Sequence, residues 1–90
     1  MEPLSVDLFD QGELEIFPNP SNGIYEIKLG NSVNQNLTVE IYSLAGNLVR
    51  RQELSNVRSF SLDIHEESNG TYLMKINDGE RVGVFKLLKN

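Results

Sequence analysis

Period-two alternation constrains this chain more than any other feature. Leu14 and Ile16 alternate with Glu13 and Glu15. Tyr25, Ile27 and Leu29 alternate with Glu26 and Lys28, and Leu37, Val39 and Ile41 alternate with Thr38, Glu40 and Tyr42. Leu48 to Leu54 is a fourth run; Phe60, Leu62 and Ile64 anchor a fifth, Tyr72, Met74 and Ile76 a sixth, and Arg81 to Lys89 closes as a seventh. A strand turns successive side chains to opposite faces, so each run offers one face to a core and one to water. No window keeps helical spacing over three turns, which predicts almost no helix. Turn signals separate the runs: Asn22-Gly23, Gly30-Asn31-Ser32, Ala45-Gly46-Asn47 and, strongest of all, Asn77-Asp78-Gly79. Short strands about 8–12 residues apart, joined by such turns, predict an all-β, Ig-like two-sheet β-sandwich of about seven antiparallel strands. The alternation alone does not assign each strand to a sheet.

The charge divides the chain. Of 13 acidic residues, Glu2, Asp7, Asp10, Glu13 and Glu15 fall in residues 1–16, where there is no Lys or Arg. The remaining eight acids face all eight bases, so the net charge of −5 belongs to the leading segment. We therefore read residues 1–13 as an acidic linker and residues 14–90 as one folded domain. A domain of this size buries about 60–65% of its unfolded surface, enough for a core but not for a deep catalytic cleft as well. The charge leaves no footprint for nucleic acid, and no apolar run approaches the ~20 residues of a membrane span.

Little in the sequence carries catalytic chemistry. There is no cysteine, hence no disulfide and no thiolate nucleophile or ligand. His65 is the only histidine, set among polar residues, and reads as an exposed loop side chain. Asp63, Glu66 and Glu67 lack the spacing of a calcium loop, and the glycines form no phosphate-cradling motif. We expect no catalytic residue, no metal and no cofactor. Tyr25 and Tyr72 lie on the apolar faces of their runs, where packing is expected; Tyr42 lies on the other face and is the one aromatic that could stack on a sugar.

One loop is punctuated more heavily than the others: Phe17-Pro18-Asn19-Pro20-Ser21-Asn22-Gly23. Each proline fixes its own φ and pushes the residue before it toward extended geometry. Asn22-Gly23 supplies tolerance for positive φ. This loop, the block Asn69-Gly70-Thr71-Tyr72-Leu73-Met74-Lys75-Ile76 and the ending Lys86-Leu87-Leu88-Lys89-Asn90 together resemble the type A C-terminal sorting domain of the type IX secretion system, found on cargo proteins of Bacteroidetes bacteria. The loop is similar to that family's PNP-x-x-G opening, the second block to its G-x-Y block, and the third to its basic, apolar closing strand. Val39 to Gly46 resembles the family's middle strand running into a glycine turn. One departure is the Leu-x-x-Leu common before the G-x-Y block, where Ile64-His65-Glu66-Glu67-Ser68 stands instead and lacks the second apolar anchor.

The resemblance implies a folded export tag rather than an enzyme. Its partners would be an N-terminal cargo, the shuttle and translocon components of the secretion machinery, and a surface sortase that removes the tag. The cargo would end secreted or on the cell surface, by way of the periplasm and outer membrane. Residues 1–13 would hold the cut. Pro18, Asn19, Pro20, Gly70, Tyr72, Lys86, Leu87, Leu88 and Lys89 are the candidate recognition residues, with fold-making as the plainer role for Gly70 and Tyr72. The closing strand is expected at a sheet edge, where Lys86 and Lys89 would blunt self-pairing and a weak homodimer is an option. An Ig-like adhesive or carbohydrate-binding module, using Tyr42, is the alternative reading.

Overall fold

The alternating runs become strands where expected. The computed structural model describes residues 7–8, 14–29, 36–79 and 81–90. The acidic segment, apart from Asp7 and Leu8, and most of the polar connection at residues 30–35 lie outside the described residues. Among the described residues eight strands follow in order: β1 (Asp7–Leu8), β2 (Leu14–Phe17), β3 (Ile24–Leu29), β4 (Asn36–Ser43), β5 (Leu48–Ser55), β6 (Ser59–Asp63), β7 (Gly70–Asn77) and β8 (Arg81–Lys89). Among the described residues there is no helix. A five-stranded sheet runs β1-β8-β7-β4-β5 and a three-stranded sheet runs β2-β3-β6. Neighbours are antiparallel except β1, which lies parallel to β8 through Asp7↔Arg81 and Leu8↔Val82. The fold class is thus the all-β sandwich expected. The two-residue β1 was not anticipated, because two residues are too few to display an alternation.

The core lies between the sheets. Tyr25, Ile27 and Leu62 from the small sheet and Val39, Ile41, Met74, Ile76 and Leu87 from the large one are fully buried in a single cluster. Burying each such side chain contributes about 1.5–3 kcal/mol. Tyr72 is buried as well, and Tyr42 lies half-buried on the outer face, its hydroxyl donating to Glu40 Oε1 at 3.0 Å.

Two hairpins fix the large sheet. Asn77-Asp78-Gly79 joins β7 to β8, with Gly79 N donating to Asn77 Oδ1 at 2.7 Å and Arg81 N to Asp78 Oδ1 at 2.6 Å. β4 and β5 turn through residues 44–47, closed by Ser43 N to Asn47 O at 2.9 Å. A register shift follows, since Ile41 faces Arg50 but Tyr42 faces Leu48. The extra residue, Val49, packs against the core. β5 is the outer edge of the sheet and carries exposed Arg50 and Arg51.

Candidate functional site

The proline-flanked loop docks on the outer edge of β8. The chain between β2 and β3 must cross from the small sheet toward the end of the large one, and Pro18 and Pro20 bring no N–H groups to be satisfied on the way. The residue between them supplies both kinds of partner instead. Asn19 Nδ2 donates to Lys86 O at 2.9 Å, and Leu88 N donates to Asn19 Oδ1 at 2.9 Å. One side-chain amide thereby stands in for one residue of a neighbouring strand, giving a donor and an acceptor in the order the edge requires.

Ser21 extends the same pairing with its backbone. Ser21 N donates to Leu88 O at 3.0 Å and Asn90 N to Ser21 O at 2.9 Å, forming a parallel bridge opposite Lys89. Ser21 is itself buried; its hydroxyl donates to Ile24 O and accepts from Gly23 N, both at 2.8 Å. The buried ring of Tyr25 reaches the same carbonyl, its hydroxyl donating to Leu88 O at 2.6 Å. Burial raises the pKa of that phenol, which keeps it the donor this bond needs.

A carboxylate at position 19 could accept from Leu88 N but not donate to Lys86 O. Asn19→Asp and Asn19→Ala are therefore both expected to destabilise the domain by about 1–2 kcal/mol, from one or two partly exposed hydrogen bonds. Chemical denaturation of the purified chain measures this. An Asn19→Asp variant as stable as the parent would remove the amide from the account.

The second block enters at the same end. Gly23 adopts a φ of 121°, and a Cβ there would lie 2.4 Å from His65 Cα, 2.8 Å from His65 N and 2.9 Å from Lys89 Cε. This close approach lets Ile64 N donate to Gly23 O at 2.7 Å. Lys89 runs over the seam, buried, with Nζ donating to Asn69 Oδ1 at 3.0 Å. Gly70 faces Lys89 in the ladder, and the Tyr72 hydroxyl donates to Ser68 O at 2.5 Å. The loop holding Ile64 to Ser68 has one apolar anchor: Ile64 is buried, and Glu67 N closes a turn on Ile64 O at 3.0 Å.

The candidate recognition residues separate by face. Pro18, Asn19, Pro20, Gly70, Lys86 and Leu88 are exposed. Tyr72, Leu87 and Lys89 are buried and turn inward. The closing strand is not an open edge: β1 pairs with its start, and Asn19 and Ser21 occupy its end. The physical reason is that the loop after β2 carries a side chain and a backbone segment that mimic a strand. Ser21 and Tyr25 belong to this arrangement and were missed. Tyr25 looked like core from its alternation, which it is, but nothing local pointed its hydroxyl at Leu88.

His65 lies at the rim of the same end, exposed. Asp63 Oδ1 accepts from the His65 backbone N at 3.0 Å and lies 2.7 Å from its Nδ1. The hydrogen bond to Asp63 raises the His65 pKa above its ordinary 6.5, and the backbone N–H of His65, then its ring, lowers that of Asp63. The His65 contribution to stability is full below the unfolded value and is lost as pH rises through the raised folded value; that of Asp63 is lost as pH falls through its lowered one. The midpoint of the His65 ring, followed by NMR, is expected above 6.5 and to fall toward it in Asp63→Asn. An unchanged midpoint in that variant would disprove the pairing.

Among the described residues, no group of three or more His, Asp or Glu is placed to hold a metal ion. What the fold builds is a small β-sandwich in which three separated sequence blocks, residues 17–23, 69–76 and 86–90, are tied together at one end. A family model, the secretion system C-terminal sorting domain, matches residues 15–90. The chain belongs to that family, which is not an enzyme family, and is a C-terminal sorting signal of type IX secretion. A search of curated proteins gives no match.

Proposed function

We propose that this domain directs an attached cargo through the outer-membrane translocon of the type IX system, and that the machinery reads the folded end built by the three blocks rather than a linear C-terminal peptide. Pro18, Asn19, Pro20, Gly70, Lys86 and Leu88 form the outward part of that end. Tyr72, Leu87 and Lys89 hold it in shape from beneath. The observation that carries the reading is the double hydrogen bond of the Asn19 amide to Lys86 O and from Leu88 N, which joins the first block to the last across 67 and 69 residues of sequence. A tag shared by many cargoes must present the same surface whatever precedes it, and a rigid sandwich does that. In this reading the acidic residues 1–13 form the linker at which a surface sortase separates cargo from tag, leaving the cargo secreted or surface-attached.

The test fuses residues 1–90 behind a periplasmic reporter in a type IX-competent host. Export of the reporter is expected, and is expected to disappear in a strain lacking the translocon. A reporter that stays in the periplasm of the competent strain would end the proposal. N-terminal sequencing of the released tag reads the cut: a new terminus within residues 2–14 supports the linker assignment, and a terminus elsewhere overturns it.

A further inference from the structure

The outer face of the five-stranded sheet divides into two halves of different chemistry. Ladder register sets its rows: Arg51, Glu40, Lys75 and Val84 in one, Leu48, Tyr42, Leu73 and Lys86 in the next. On the β4–β5 half the charges satisfy one another. Arg51 Nε lies 3.3 Å from Glu40 Oε2, another Arg51 nitrogen lies 2.7 Å from Glu53 Oε2, and the Tyr42 hydroxyl takes the second oxygen of Glu40. On the β7–β8 half, Lys75 and Lys86 have no ion pair among the described residues. Glu40, opposite Lys75, is already committed to Arg51 and Tyr42. Around the two lysines lie half-buried Leu73 and two exposed apolar side chains, Val84 at 57% and Leu88 at 37%.

Resting on the export reading above, we infer that this β7–β8 half-face is where a folded protein of the export apparatus docks, with carboxylates of that partner at the centre of the contact and apolar side chains around them. Carboxylates would meet Lys75 and Lys86, and the surrounding apolar side chains would cover Val84, Leu73 and Leu88. Complementary charge at such a face raises association rates and excludes wrong partners, while the desolvated apolar contacts supply affinity. The patch is continuous with the convergent end, since Lys86 and Leu88 are the residues whose backbone Asn19 holds. A second copy of this chain is a poor occupant, because a two-fold contact over the patch would set lysine against lysine. An anionic lipid surface is poorer still: two lysines contribute about 2 kcal/mol there, and the chain carries a net charge of −5.

The experiment uses the reporter fusion with Lys75→Glu/Lys86→Glu, and Lys28→Glu on the outer face of the small sheet as the control. The double reversal is expected to cut the exported fraction about tenfold or more, with Lys28→Glu within about twofold of the parent. Melting curves of the purified chains check folding, and Lys75→Gln/Lys86→Gln replaces the reversal should it fail to fold. Parental export by the folded double variant overturns the docking face while leaving the export reading intact. A parental tag that is not exported overturns both. Two further results would also overturn it in favour of another occupant: binding of the parental chain, abolished by the reversal, to vesicles of equal parts phosphatidylglycerol and phosphatidylcholine; or a dimer in gel filtration that the reversal dissociates.

Discussion

Gly23→Ala is expected to cost about 3 kcal/mol or more, lowering the melting temperature by roughly 12–24 °C. Two independent effects act at this position. The backbone sits at a φ of 121°, which L side chains rarely adopt, and the added methyl would meet His65 Cα at 2.4 Å. The first obstacle is backbone, so no rotamer change relieves it; only Lys89 Cε, at 2.9 Å, belongs to a side chain that could move. Relief requires the loop after β6 to withdraw, which breaks the bond from Ile64 N to Gly23 O and loosens the turn at Glu67. Gly46 provides the contrast, because it too has positive φ, at 94°, but nothing within 4 Å of the position a Cβ would take. Gly46→Ala should therefore lose only the conformational part, about 1–2 kcal/mol. Thermal melts of both variants separate contact from conformation, and equal losses would mean that the close approach to His65 carries no energy.

That comparison also explains what could be read in advance. The strands of the two sheets were legible because alternation is a local property, and burial follows it along β3, β6 and the core-facing side of β4, β7 and β8. The two-sheet class followed from the number and spacing of those strands. The assembled end was legible only as composition. Asn22-Gly23 announced a turn, but the reason for glycine lies in His65, some forty residues away, and no local pattern encodes that contact. Similarly, Asn19 could be seen as a polar residue between prolines, while its function as a substitute strand residue depends on where β8 ends. The resemblance groups Lys86 and Lys89 as edge lysines, yet a separation of three in a strand puts them on opposite faces. Lys86 faces out, and Lys89 faces in, where its stem is covered and its ammonium meets Asn69. Strict use of the same alternation that found the strands would have separated these two lysines from sequence alone. The two-residue β1 had no such signal to offer.

The division of β8 into inward and outward residues decides how its part in export can be tested. Removing Lys86–Asn90 is expected to abolish the cooperative unfolding transition of the domain at 25 °C, not merely to delete an address. The five residues include Leu87, which is fully buried, and carry the backbone groups that pair with Ser21, Asn19 and the Tyr25 hydroxyl. They also cover Gly70 to Leu73 of β7 through four ladder pairs, and Tyr72 within that stretch is core. Loss of the Leu87 side chain alone costs about 2–5 kcal/mol, and stranding the buried Tyr25 hydroxyl adds about 1–3 kcal/mol, against a total stability of about 5–15 kcal/mol for a domain of ordinary stability. Circular dichroism against temperature or urea measures the outcome. A sharp transition retained by the truncated chain would refute the structural role assigned to the closing strand. Leu88→Ala removes an outward side chain and leaves the backbone pairs in place, so its melt should stay within a few degrees of the parent. A truncation that abolishes export would then report lost folding, whereas a folded Leu88→Ala chain that fails to export would report lost recognition. Only outward substitutions on β8 can therefore test its part in the proposed address, and Lys86 and Leu88 are the two beside the Asn19 latch.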